Sequence, residues 1–269
     1  MIEQFAALVP QVRAARPLVH HITNYVTVND CANITLAIGG SPIMADDARE
    51  APEVVAAASA LVLNMGTLSG RTIPSMVAAG RAANLHGVPV VIDPVGAGAS
   101  ALRNETAALL LREVRVAVLR GNLSEIRYLA GRGARTRGVD AGEGDAQGAE
   151  EIARDVAARL GCVVAVTGAV DVVSDGRRVL QIENGHPMLS AVTGTGCMCT
   201  SLVGAFVGAA PEGPLQAAAA ALLAMGIAGE IAHGCAGQLG NGSFRVALHD
   251  AMSRMDAQTM RERGRCHEA

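Results

Sequence analysis

Four short apolar runs, rich in β-branched residues, limit what this chain can become: "ALVLN" (residues 60–64), "VPVVID" (88–93), "VAVLRGN" (116–122) and "CVVAVTG" (162–168). Each is apolar almost throughout instead of alternating, the mark of a strand buried on both faces, and each meets Gly, Asn, Asp or Pro before a helical pattern begins. The intervening stretches 73–85, 106–113 and 150–160 read as amphipathic or alanine-rich helices. Alternation of this kind predicts a mainly parallel sheet with right-handed crossovers and helices on both faces, a three-layer α/β/α domain. After Thr167 the pattern changes: "VDVVSDG" and "RRVLQIEN" flank an Asp175-Gly176 turn and predict an antiparallel hairpin at one side of the sheet. From Gly196 onward the chain is expected to be almost wholly helical. No linker or internal repeat interrupts the 269 residues, which are expected to form a single domain. The Gly- and charge-rich segment 130–150 is expected to be a mobile loop whose last residue opens the next helix.

Composition sharpens the picture. The chain is 50% hydrophobic but only 2% aromatic, so its core must be built from Ala, Val, Leu, Ile and Met in close contact. All 22 basic residues are Arg, a bias that carries no functional assignment. A net charge of -3 without a basic tract argues against a nucleic-acid partner, whose phosphates demand a clustered cationic face. Glu3 and Pro10 stand where a secretory signal would need a basic start and an unbroken apolar core, so a cytoplasmic location is expected. The alanine-rich stretch 215–234 carries Glu230 and His233 and reads as a buried or subunit-facing helix rather than a membrane span. Six scattered cysteines in a chain of this size predict reduced thiols.

Ligands of open α/β sheets bind beyond the carboxyl ends of the strands, and polar residues cluster at those ends here. Asn64 and Thr67 follow the first run, Asp93 the second, Arg120, Asn122 and Glu125 the third, and Thr167 the fourth. Each has a plain structural alternative: Asp93 as a helix cap, Asn122 and Glu125 as a capping box, Thr167 as the close of a turn. As a set they suggest phosphate chemistry. Asp93 and Glu125 are oxygen ligands suited to Mg²⁺ directly or through water, and Arg120 supplies a fixed positive charge for phosphate oxygens. A chain without lysine has no Walker A motif. Its phosphate cradle must be backbone, and "VTGTGC" (192–197) before a long apolar helix suits that role, because glycines let the main chain approach and helix N-termini attract anions.

With those residues in place, the sequence resembles the ribokinase-like superfamily and, within it, the hydroxyethylthiazole kinase family. The blocks "VHHITNYVTVNDCAN", "GGSPIMADDAREA", "LVLNMGTL", "GVPVVIDPVGAGAS", "LRGNLSEI", "GVDAGEGD", "AVTGAVDVVSDG", "NGHPMLSAVTGTGCMCTSLVGAF" and a late "GSF" match in order, from His20 to Phe244. Related pyrimidine kinases lack the leading "HHITN" and "SPIMADD" blocks. The resemblance implies Mg²⁺- and ATP-dependent phosphorylation of the primary hydroxyl of 4-methyl-5-(2-hydroxyethyl)thiazole, a step of thiamine salvage. By position it implies ATP contacts at Arg120 and Thr167, substrate contacts at Met44 and Gly194, and metal ligands at Asp93 and Glu125. It also implies a homotrimer with interfacial active sites, in which the segment around Asn24 lines a neighbour's pocket.

Cys197 has three readings: a redox or metal pair with Cys199, a covalent nucleophile, or a small group beside an anion cradle. C-x-C without a second ligand pair argues against zinc. A nucleophile would need a histidine base, and no His-containing block pairs evidently with it. The resemblance implies that Cys197 stands where most ribokinase-like kinases carry an aspartate base, and a thiol of ordinary pKa is a weak base at neutral pH. A nucleotide-dependent dehydratase of the same fold would need aspartate there. His20 and His21 read either as ligand contacts or as a satisfied structural pair, and they stand outside the catalytic set.

Overall fold

The computed structural model describes residues 1–132 and 146–269. The block "GVDAGEGD" and most of the expected mobile loop lie outside the described residues. The strands are β1 (Leu18–Ile22), β2 (Ser41–Ile43), β3 (Ala60–Asn64), β4 (Val90–Asp93), β5 (Val118–Asn122), β6 (Val163–Thr167), β7 (Asp171–Ser174), β8 (Val179–Ile182) and β9 (Cys266–Glu268). They form one sheet in the order β2-β1-β3-β4-β5-β6-β7-β8-β9. The first six run parallel, and β7, β8 and β9 are antiparallel additions beyond β6.

The helices are α1 (Ile2–Ala15), α2 (Val28–Ile38), α3 (Ala51–Ala56), α4 (Thr72–Leu85), α5 (Ala101–Glu113), α6 (Leu123–Leu129), α7 (Ala146–Leu160), α8 (Thr195–Ala209), α9 (Pro214–Ala236), α10 (Asn241–Ser253) and α11 (Ala257–Arg263). Alternate residues of the parallel strands supply two cores. Val62, Val91, Val118 and Ala165 face Phe5, Phe206, Ile227 and Phe244 on one side. Leu61, Leu63, Ile92, Leu119 and Val164 face Met76, Leu110, Ile126 and Val156 on the other. Side chains on successive strand residues point to opposite faces, so an unbroken apolar run is what a sheet covered on both sides requires. The expected three-layer architecture and the Asp175-Gly176 hairpin are both present.

Helix α9, long and apolar enough to cross a membrane, is a core element, with 83% of its most apolar 18 residues buried. Close approach by small residues is evident at α8, where a Cβ on Gly204 would lie 2.6 Å from Val62 Cγ2. Four expectations need correction. Helix α5 begins at Ala101, ahead of the expected 106, because the Ser100 side chain accepts from the Arg103 amide and caps it. Helix α7 begins at Ala146, four residues before Glu150. The helical C-terminal third ends in a strand, β9, paired with β8. Strands β1 and β2 were not expected at all, yet they form one edge of the sheet and carry two blocks of the family resemblance. All six cysteines are free thiols.

Candidate active site

Because β1 to β6 are parallel, their carboxyl ends share one rim of the sheet, and every candidate residue is placed by an element that starts or stops there. Asp93 is the last residue of β4, in register with Asn64 at the end of β3. Its side chain is 1% exposed. Its Oδ2 accepts from Asn64 Nδ2 (2.9 Å) and Thr200 Oγ1 (2.8 Å), and lies 3.7 Å from the Arg120 guanidinium. Its Oδ1 is buried and has no partner among the described residues. Burial pushes the Asp93 carboxyl up, against the pull of Arg120, Thr200 and Asn64.

Arg120, on β5, has a side chain 11% exposed and lies among acids. Burial alone would lower its pKa, but Cys199, Asp93, Glu125 and Asp171 outweigh it and hold the guanidinium charged. A Cβ on Gly196 would come 3.0 Å from Arg120 NH1, so the absence of a side chain there brings the guanidinium against the first turn of α8. The first amides of a helix have no intrahelical acceptor, and with the dipole they favour an anion. The helix opens on Gly194, whose φ of 88° is left-handed and whose Cβ would strike Thr27 Cγ2 at 2.5 Å. Glycine is the residue that lets this loop press against the entrance of α2.

Glu125 lies in the first turn of α6 and performs the structural work that was its plain alternative. Asn122 Oδ1 accepts from the Glu125 amide and Glu125 Oε2 accepts from the Asn122 amide, a complete capping box. Its Oε1 accepts from Gly96 N (2.8 Å), tying the loop after β4 to the start of α6. Burial, then the charge of Asp93, raise its carboxyl to about 7 despite those two amide bonds and Arg120. Asp171, at the start of β7, is likewise raised to about 7 by burial. Among the described residues no group of three or more His, Cys, Asp or Glu forms a metal cage.

Cys197 sits in the first turn of α8, half-buried, and Asn24 Nδ2 donates to its Sγ at 3.3 Å. The Asn24 amide is oriented by its own bonds: its Oδ1 accepts from Thr27 N and Oγ1, and its Nδ2 also donates to Asn64 Oδ1 (3.0 Å). Burial and the charge of Asp93 raise the Cys197 thiol above its ordinary value, outweighing Thr27, Asn24 and Asn64. Asn24, in the segment that the resemblance implied for a neighbour's pocket, bonds Asn64 and Cys197 of its own chain. Cys199 is buried beside the Arg120 guanidinium, and burial pushes its thiol up to about 12.

The remaining candidates share the rim without bonding to this cluster. Met44 follows β2 and is half-buried. Thr167 ends β6 and donates to Gly121 O (3.3 Å), joining the ends of β5 and β6. Three residues beside the candidates escaped the sequence reading: Thr200, one helical turn after Gly196; Asp171; and Arg103. Arg103 donates to Met65 O (2.6 Å), Val95 O (2.5 Å) and Gly66 O (2.8 Å), clamping together the loops that leave β3 and β4. An arginine shortly after a glycine-rich strand exit was the one signal available for it.

This arrangement of an anion-attracting helix start, a buried arginine and a partly unpartnered carboxylate on one rim suits phosphoryl transfer. Comparison with known proteins agrees. A hydroxyethylthiazole kinase of Ruminiclostridium cellulolyticum is 58% identical over 268 residues, 99% of this chain and 98% of that protein. The solved hydroxyethylthiazole kinase of Pyrococcus horikoshii OT3 superposes with a TM-score of 0.91 at 42% identity, covering 98% of each chain. Pyridoxal kinase of Bacillus subtilis, solved as an ADP complex, shares the fold at a TM-score of 0.59 and 19% identity, covering 80% of this chain and 91% of that one. The family model for hydroxyethylthiazole kinases matches residues 9–258, and the chain belongs to that family.

Proposed function

We infer that this chain is a single kinase domain that transfers the γ-phosphoryl group of ATP to the primary hydroxyl of 4-methyl-5-(2-hydroxyethyl)thiazole, in thiamine salvage in the cytoplasm. The observation that carries the chemistry is the meeting of Arg120, Asp93 and the first turn of α8 at one point of the rim. Arg120 and Thr167 contact ATP; Met44 and Gly194 contact the thiazole. The amides of residues 195–197 and the Arg120 charge receive the transferring phosphoryl group, and Cys197 faces the acceptor hydroxyl.

The donor set fits Mg²⁺. Asp93 offers a buried oxygen without a partner among the described residues, and Glu125 retains lone pairs beyond its two amide bonds, oxygen donors of the kind Mg²⁺ takes together with water and phosphate. Bound there, the ion would neutralise charge on the phosphate oxygens. Asp93 and Glu125 would hold it, while Asn64 and Thr200 fix the Asp93 carboxylate in place.

Given purified protein and Mg-ATP, hydroxyethylthiazole should be consumed and hydroxymethylpyrimidine should give little turnover; an equal or reversed preference overturns the reading. A pH effect follows from Glu125. Its carboxyl titrates at about 7, so a proton competes with the cation below that pH. The Mg²⁺ concentration at half-maximal rate should fall as pH rises from 6 to 8, by up to about tenfold per unit on the acid side. Cys197→Ala should lower kcat by less than about tenfold, because a protonated thiol is a poor base and the transfer depends mainly on positioning and charge. Cys197→Asp should retain or raise kcat, since it supplies an ionisable carboxylate beside the Asn24 donor. Total loss in Cys197→Ala with the fold intact would show that the thiol itself is required.

A homotrimer with interfacial sites is part of the same proposal. It is supported by Tyr25 and Val26, which are 80% and 56% exposed immediately after Asn24. A light-scattering mass of one subunit would remove it. Covalent catalysis by Cys197 has less support, as no histidine bonds it among the described residues.

A further inference from the structure

The paired histidines of β1 have no part in the cluster above, and the structure separates their roles. His21 is buried and its Nδ1 lies 3.0 Å from Val19 O, a carbonyl of its own strand, so it fastens nothing outside β1. Burial lowers its pKa to about 4, and it is neutral. His20 is fully buried, and its Nε2 lies 2.7 Å from Ala45 O, 25 residues away. A carbonyl can only accept, so Nε2 carries the proton. Burial lowers the pKa of His20 against the Ala45 bond and the charge of Glu50, so the ring is neutral, and its Nδ1 is an acceptor without a partner among the described residues.

The position of that bond matters. Strand β2 is a three-residue edge strand, and its register with β1 runs from Leu18↔Ser41 to His20↔Ile43. The chain then leaves the sheet through Met44, Ala45 and Asp46. The side chain of the last paired residue of β1 follows it and grips the second residue beyond the register. The ion pairs of the two residues that follow, Arg71 with Asp46 and Arg49 with Asp47, stand in solvent and hold little. Ala45, by contrast, is 5% exposed, and its carbonyl meets His20 away from water, where a hydrogen bond is stronger and its loss costs more.

We propose that His20 is a positioning residue for acceptor specificity: by fixing the Ala45 carbonyl it sets the place of Met44 in the pocket wall, without itself touching the substrate. The proposal rests on the reading of Met44 as a thiazole contact. It assigns a function to "HHITN" and "SPIM" jointly, since the first block supplies the donor and the second the segment it holds.

The test compares His20→Gln, His20→Asn and His20→Leu with Met44→Ala. Glutamine carries an amide N–H to about the reach of Nε2; asparagine carries the same group one methylene short; leucine carries none. Hydroxyethylthiazole binding is measured by calorimetry without nucleotide, and KM for both substrates by steady-state kinetics. His20→Leu and His20→Asn should raise the thiazole Kd and KM about tenfold or more while the ATP KM stays within about twofold, and His20→Gln should recover most of the loss. Rates with hydroxymethylpyrimidine relative to hydroxyethylthiazole should rise in the same two variants. An unchanged thiazole Kd in His20→Asn, an equal rise in both KM values, or a glutamine variant no better than asparagine overturns the proposal. Should His20→Leu fail to fold, the two amide variants, both polar and of similar volume, still decide it. Met44→Ala separates the two levels: if it leaves thiazole binding unchanged, the reading of Met44 is wrong; if it weakens binding and the His20 variants do not, the role of His20 alone is wrong.

Discussion

Asp93→Asn should lower kcat by about 10²- to 10³-fold, the usual loss when one preorganised charge-stabilising group leaves a phosphoryl-transfer site. The substitution is nearly isosteric, and its effect can be followed atom by atom. Asn64 and Thr200 both donate to Oδ2, so the new amide places its oxygen there and keeps both bonds. Its NH₂ then takes the position of Oδ1, the buried oxygen without a partner among the described residues, and a donor replaces the acceptor that would meet a cation. The negative charge 3.7 Å from Arg120 disappears as well. Removing one member of a buried ion pair costs about 3–5 kcal/mol. Glu125 and Asp171 act on the same guanidinium, which puts the expected cost at the low end of that range. Steady-state kinetics and thermal denaturation measure the two consequences separately. A kcat within about tenfold of the parent, with the Mg²⁺ dependence unchanged, would exclude Asp93 from the transfer apparatus.

Strands β3 to β6 were legible because burial on both faces writes an unbroken apolar run, and their polar last residues, Asn64, Asp93, Asn122 and Thr167, were legible for the same reason. Strand β1 was not. "LVHHI" interrupts its apolar run with two histidines, which stay in the sheet only because each ring finds a backbone carbonyl. Strand β2 is three residues long and contains a proline, which is tolerated at a sheet edge but gives no strand signal. Strand β9, "CHE", owes its conformation to its partner β8 rather than to its own composition.

Within the site, sequence spacing brought out Asp93, Arg120 and Glu125, since neighbouring parallel strands end side by side. It could not distinguish Glu125 as capping box from Glu125 as ligand, and the structure has the capping box in place. Asn24 and Thr200 reach the cluster from 40 residues before Asn64 and 107 residues after Asp93. Contacts that distant depend on topology, which local patterns do not carry. Arg103 was missed because it acts on carbonyls, and any residue can provide those.

Gly194→Ala should be nearly as damaging as the loss of Asp93, for a reason that involves no charge. Two independent obstacles meet the added methyl. The backbone at 194 has a φ of 88°, where an L-residue other than glycine is strained by about 1–2 kcal/mol. The new Cβ would also lie 2.5 Å from Thr27 Cγ2, so loop and helix must part by roughly 1 Å to reach ordinary contact, and a displacement of that size at a reacting centre costs about 10²-fold in rate. Thr27 also connects the loop to Cys197, because its hydroxyl donates to Asn24 Oδ1 and so helps aim the Asn24 amide at the thiol. Thr27→Ser separates the two obstacles. It deletes Cγ2, keeps the hydroxyl, and leaves Cβ as the nearest atom at 3.1 Å. The double variant Gly194→Ala with Thr27→Ser should therefore recover part of the lost kcat and the stability lost to the close contact, but not the stability lost to strain at 194, which persists. No recovery would mean that the backbone angle alone sets the cradle. A single Gly194→Ala variant with parental kcat would mean that the turn before α8 does not hold the phosphoryl group, and the anion site would have to be sought elsewhere on the rim.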